Sequence, residues 1–166
     1  MDLSFDIRGN LKPYERVEID FETFEEIFIK SFEDETTRLQ LLENYRKYLV
    51  DFSEQITNQF TQWIDGSFVS TKRNPRDIDF VTIVDHKVFE ERADLIDSRF
   101  RLKGGKETYE VDAYTVRKYP EEHSQYKIYE GELVYWDHLF SWTKKNRMKK
   151  KYRKGYIEIQ FDKFKI

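Results

Sequence analysis

The 166-residue chain contains no cysteine, which excludes disulfide bonds and thiolate metal sites. Chain-breaking residues are scarce too. There are three prolines (Pro13, Pro75 and Pro120) and six glycines, and no low-complexity linker or internal repeat. No apolar run approaches the roughly 20 residues that a membrane span needs. The start, Met1-Asp2-Leu3-Ser4-Phe5-Asp6, lacks the basic residues and apolar stretch of a signal peptide. These absences point to a soluble, cytoplasmic protein without a membrane partner. Histidine is rare as well. His86, His123 and His138 show no zinc-site spacing and read as ordinary surface or helix residues.

Charge and aromatic rings are plentiful. Charged residues make up 37% of the chain and aromatics 17%, and disordered segments are poor in aromatics. The length fits one domain with a core built largely from Phe, Tyr and Ile. Net charge is only −3, yet eight of the eleven residues from Lys144 to Lys154 are Lys or Arg, so the rest of the chain carries a formal −11. Such a run suits a polyanion such as nucleic acid, and a solvated connector explains it equally well.

The period of the apolar residues predicts a small mixed sheet with helices packed against it, an α/β (α+β) arrangement. Residues 1–19 read as an irregular arm with room for a short extended piece. Asp20 caps a short helix carrying Phe21, Phe24, Phe28 and Phe32 on one face. From Asp34 to about Phe60 a long amphipathic helix is expected, with Leu42, Tyr45, Leu49, Phe52, Ile56 and Phe60 as its stripe. Trp63–Asp65 reads as a first strand stopped by Gly66, and 77–84 as a second. Asp85 caps a helix over 86–100, Gly104-Gly105 marks a turn, and 108–117 reads as a strand bearing Asp112. A helix from Pro120 to about Trp142 carries Tyr126, Tyr129, Leu133, Trp136 and Phe140. Residues 156–161 alternate as a closing strand after the basic run.

The chain is organised around Trp63 to Asp79. Gly66-Ser67 forms a turn, nine residues follow, and Asp77 and Asp79 then flank Ile78 ahead of the apolar run Phe80 to Val84. In a strand of period two, Asp77 and Asp79 share one face with Val81 and Ile83 further along it. That face turns from carboxylate to hydrocarbon, which places the charge at a sheet end. Two carboxylates so close repel unless a cation lies between them, and a hard divalent ion such as magnesium suits oxygen ligands. A glycine turn followed by serine exposes N–H groups and a hydroxyl that suit phosphate oxygens. Lys72, Arg73 and Arg76 lie in the loop between turn and carboxylates, where one or more can neutralise phosphate charge.

Gly66-Ser67, a short gap, then Asp77-Ile78-Asp79 resembles the signature of the DNA polymerase beta-like nucleotidyltransferase superfamily. The third carboxylate of that pattern is matched by Asp112 in Tyr109-Glu110-Val111-Asp112-Ala113-Tyr114. The resemblance covers residues 63–116 and extends loosely to small microbial members. It implies a nucleotidyltransferase-like fold and transfer of a nucleoside monophosphate from a nucleoside triphosphate to an acceptor: a protein side chain, an RNA end or a small molecule. It implies Asp77, Asp79 and Asp112 as catalytic metal ligands for two Mg2+ ions, with Mn2+ as a substitute, and Gly66, Ser67, Lys72 and Arg76 at the nucleotide. Asp77 and Asp79 would bridge both metals, and Asp112 would hold the nucleophile-side metal. Superfamily members of this size often sit in toxin–antitoxin or defence systems, so ATP binding and a protein partner are expected with it. A separate reading keeps the fold but makes the protein a non-catalytic nucleotide- or nucleic-acid-binding regulator. Arg117 and His123 fit only superficially the arginine–histidine pattern of companion ribonuclease domains, since Pro120 interrupts it.

Overall fold

The computed structural model describes residues 2–32 and 36–163. The expected arm has more extended structure than a single short piece and carries three short strands. β1 (Ser4–Phe5) and β2 (Leu11–Lys12) pair antiparallel, and β3 (Arg16–Glu18) joins the edge of the main sheet. Alternation explains β3, because Val17 is buried between exposed Arg16 and Glu18. Asp20 caps α1 (Phe21–Glu25) by accepting from the Thr23 N–H at 2.7 Å. A π-helical turn, Glu26–Lys30, follows and buries Phe28 beside Phe24.

The long helix is shorter than the apolar stripe suggests. α2 (Arg38–Gln55) buries Leu42, Tyr45, Leu49 and Phe52, whereas Ile56 is its cap and Phe60 belongs to the next strand. Asp34, the expected start, lies outside the described residues. The break has a local cause. Thr57 Oγ1 accepts from the Gln59 N–H at 3.2 Å, a side-chain bond that turns the chain into β4 (Gln59–Asp65). β4 is thus seven residues long, reaching well upstream of Trp63.

After a 3-10 turn (Ser67–Val69) comes β5 (Asp79–Asp85), which starts two residues later than expected and leaves Asp77 outside the ladder. Asp85 caps α3 (His86–Glu91) as predicted, accepting from the Lys87 N–H. The helix expected to reach residue 100 is interrupted at Arg92 (φ −119°, ψ 16°). It resumes as α4 (Ala93–Leu95) and a π-helical segment, Ile96–Phe100.

Gly104 and Gly105 do not make a turn; they lie inside α5 (Leu102–Tyr109). A Cβ at Gly104 would stand 2.6 Å from the Ser98 backbone, so absence of a side chain lets α5 pack against the preceding segment. Glu110 ends α5 in the left-handed region (φ 58°), and β6 (Asp112–Lys118) starts later than expected. Tyr109 and Glu110 are therefore helix and cap rather than strand. α6 (Tyr126–Phe140) and β7 (Tyr156–Asp162) are the last described elements, α6 inside the predicted limits and β7 close to them.

The main sheet is mixed, in the order β3-β7-β4-β5-β6. The outer pairs are parallel and the two inner pairs antiparallel. Alternation splits the side chains between two faces. One bears Phe60, Ile64, Phe80, Val84, Ala113, Ile157, Ile159 and Phe161 and packs in the larger core with α1, α2 and α5. Trp63, Val81, Ile83, Val116 and Tyr156 lie on the other face and pack against Phe140 and the inner side of α6. Tyr48 touches Phe52, Phe80, Phe100 and Tyr109 within 5.7 Å, so α2 is locked to the sheet by rings as the composition predicted. Each fully buried ring such as Phe80 contributes about 2–3 kcal/mol. No helix among the described residues is long and apolar enough to cross a membrane.

Candidate metal centre

Strand register assembles the site. Asp79 opens β5, pairing with Asp65 of β4 on one side and Asp112 of β6 on the other. Directly paired residues share a face, so three carboxylates form a row across the sheet end, on the α6 side. Further along that face Val81 and Ile83 are buried, so the change from carboxylate to hydrocarbon is where the sequence predicts it. Asp77 reaches the cluster from the loop before β5, so alternation within a strand is not what places it. Next to it Ile78 is fully buried, and its carbonyl accepts from the Asp112 N–H at 3.1 Å. That bond ties the two aspartate-bearing segments together.

Asp77, Asp79 and Asp112 each offer a carboxylate oxygen, all within 4.8 Å of one another. Asp79 is pushed up to about 7, first by burial and then by the negative charges of Asp77, Asp112 and Asp65. A half-buried group of three acids with this effect on its central member fits a hard divalent cation, which relieves both the repulsion and the desolvation.

Gly66 makes room for that group. Its φ is +81°, and a Cβ there would meet Asp79 Oδ2 at 2.0 Å. Any side chain would be strained in the backbone and would enter the space of the carboxylate. Ser67 begins the 3-10 turn directly after it, and its carbonyl accepts from Ser70 Oγ at 2.5 Å. The turn's backbone is held by a buried arginine. Arg38 donates to the carbonyls of Phe68 (2.7 Å), Ser70 (2.8 Å) and Lys72 (2.6 Å), and to Phe28 at 2.9 Å. Burial lowers its guanidinium to about 10, which leaves it charged at neutral pH.

The structure thus brings together Asp77, Asp79, Asp112 and Gly66, with Ser67 adjoining. Lys72 and Arg76 are exposed in the loop and take no part in the ion pairs of these carboxylates. Two lysines from elsewhere do meet the aspartate groups. Lys106 on α5 places Nζ 3.3 Å from Asp77 Oδ2 and 3.6 Å from Asp112 Oδ1. Lys154, the last residue of the basic run, places Nζ 2.5 Å from Oδ2 of buried Asp65. Burial raises the Asp65 carboxyl while Lys154 opposes the rise. Asp65, Lys106 and Arg38 were invisible as site residues in the sequence. The signal for Asp65 was only its place before Gly66.

The remainder of the basic run is a hairpin rather than a loose linker. The Thr143 N–H donates to the Tyr152 carbonyl at 2.9 Å, and Trp142 pairs with Arg153. At its tip Asn146 Oδ1 accepts from the Met148 and Lys150 N–H groups. Of the histidines, His86 is buried, stacking on Tyr119 at 4.6 Å with His123 at 4.8 Å, while His138 is exposed on α6. Arg117 lies over the Phe89 ring, 4.7 Å from its centre.

A cleft opens along β6 beyond Asp112, between β6, α6 and the start of α5. Tyr114, Tyr135 and Trp136 line it, with Arg101, Leu102 and Glu132. Tyr114 follows Asp112 by two residues on the same face, so the cleft adjoins the carboxylate row.

A mixed sheet flanked by helices, bearing an acidic cluster at one sheet end, defines the class. Residues 3–160 match the Family of unknown function (DUF6932), and the chain belongs to that family. No curated protein matches the chain. No solved structure matches it either.

Proposed function

We propose that this protein is a metal-dependent nucleotidyltransferase of the polymerase beta-like kind. It would move a nucleoside monophosphate from a nucleoside triphosphate to an acceptor hydroxyl. The observation that carries this reading is the meeting of Asp77, Asp79 and Asp112, from two adjacent segments, with oxygens within 4.8 Å. Asp77, Asp79 and Asp112 would hold Mg2+, with Mn2+ as a substitute. When bound, the ions would stabilise the attacking and leaving oxygens of an in-line displacement at the α phosphorus.

The chain's own residues supply the rest. Gly66 leaves room for the Asp79 carboxylate, and the backbone N–H groups of the turn it opens would meet phosphate oxygens. Arg38 fixes the turn from below. Lys72 and Arg76, exposed in the following loop, are free to approach a triphosphate. Asp112, on edge strand β6 beside the aromatic cleft, would take the acceptor's hydroxyl proton. The fit of this arrangement to the Gly-Ser and Asp-Ile-Asp pattern supports the reading.

Calorimetric titration of the four ribonucleoside triphosphates, with and without magnesium, tests it. Magnesium-dependent binding to the wild type that is lost in Asp77→Asn/Asp79→Asn, with the fold intact by circular dichroism, is the expected outcome. Triphosphate binding that persists in the double variant would instead make the protein a nucleotide-binding regulator. If no triphosphate binds at all, the reading fails.

A further inference from the structure

Two lysines meet the acidic row, and they meet it differently. Lys154 is largely buried (14% side-chain exposure) and lies 2.5 Å from Asp65, itself buried. It is a fixed counter-ion. Lys106 is half-exposed (52%), stands off at 3.3 Å and 3.6 Å, and spans two carboxylates from different segments, Asp77 and Asp112. Its neighbours on α5 do not share this task, since Lys103 pairs with Glu107. Among the described residues no other cation forms an ion pair with Asp77, Asp79 or Asp112.

We infer that Lys106 is a tethered counter-ion occupying the position of the divalent cation, which it gives up when the metal is loaded. The inference rests on the metal reading proposed above. A divalent ion held by Asp77, Asp79 and Asp112 would draw on the same Asp77 and Asp112 carboxylates that the ammonium now faces, and two cations cannot share them without repulsion. Release of Lys106 is cheap. An ammonium on a flexible stem, half in solvent, loses a weak, water-screened pair and regains hydration. Without it, Asp77 and Asp112 would repel each other in the metal-free protein. Once displaced, Lys106 remains on the rim as a point charge available to the phosphates that arrive with the metal. Lys106 therefore acts against metal alone and in favour of metal with triphosphate.

Opposite signs make this testable. Mn2+ binding, followed by the loss of the free-ion EPR signal, would be measured for wild type, Lys106→Met, Lys106→Arg and Asp77→Asn/Asp112→Asn. Binding of a non-hydrolysable ATP analogue in saturating magnesium would be measured alongside. The expected result is Mn2+ binding roughly five-fold tighter in Lys106→Met, with Lys106→Arg near wild type. Analogue binding should weaken about as much in Lys106→Met. Thermal unfolding checks that the exposed substitution leaves the fold unchanged. Mn2+ affinity in Lys106→Met equal to or weaker than wild type overturns the inference and leaves the metal reading standing. So does analogue affinity that does not fall. Absence of Mn2+ binding in every variant, or binding that survives Asp77→Asn/Asp112→Asn, removes the metal reading and the role of Lys106 with it.

Discussion

Asp79 carries the electrostatic strain of the site in one side chain. Its ordinary value of 3.8 rises to about 7 in the fold, through burial and the charges of Asp77, Asp112 and Asp65. A carboxyl raised on folding makes the folded state bind more protons than the unfolded chain between those values. Stability from this group is therefore highest below about pH 4, falls as pH rises, and reaches its floor above about pH 7. Asp79→Asn should raise the unfolding temperature of the metal-free protein in a chelator, by little at pH 4 and by roughly 5 °C at pH 8. A gap between variant and wild type that stays constant across that range would contradict the assignment. At this scale the sequence revealed Asp77, Asp79 and Asp112, because a Gly-Ser turn and an Asp-x-Asp pair are local patterns. It did not reveal Asp65 or Lys106. Asp65 gains its meaning from the β4–β5 register, and Lys106 from the packing of α5 on β6. Neither is encoded in nearby residues.

The elements divide along the same line. Period alone predicted α1 with its Asp20 cap, the sheet-covering stripe of α2, the inner face of α6 and the alternation of β7. Boundaries failed where a competing local bond or a close approach decided. Thr57 ended α2 before Ile56 and Phe60, although both extend its stripe. Gly104 and Gly105 read as a turn because small residues in a helix interior usually weaken it, yet here they let α5 approach Ser98 and Ala113. The most informative element is the loop after Gly66, held by Arg38 from the first turn of α2. Arg38→Met would leave the carbonyls of Phe28, Phe68, Ser70 and Lys72 without their donor in a largely buried setting. A loss of about 3–5 kcal/mol is expected, seen as a lower urea midpoint with little change in slope. Lys106→Met, on an exposed surface, should leave that midpoint almost unmoved. Equal effects of the two would mean that Arg38 is not an anchor.

Across the whole molecule, the uneven charge noted in the sequence is drawn together at one place. The cationic segment from Lys144 to Lys154 folds as a hairpin, and its last residue closes on Asp65 in the central strand β4, 89 positions away. Most of the hairpin's cations are exposed, but Lys154 is committed to this buried pair, so a polyanion held by the run would be held by the others. Lys154→Met would leave a buried carboxylate without its partner, at a cost of about 3–5 kcal/mol. Adding Asp65→Asn to it should recover most of that loss, because two neutral groups need no mutual compensation. The pH dependence follows from the sign of the Asp65 shift. Burial already raises that carboxyl, and without the ammonium it rises further, so the single variant can accept a proton where the wild type does not. Its deficit should shrink as pH falls from 8 towards 5 and should change little with salt, since a buried pair is weakly screened. A deficit that salt erases would place Lys154 at the solvent and separate the basic hairpin from the carboxylate row.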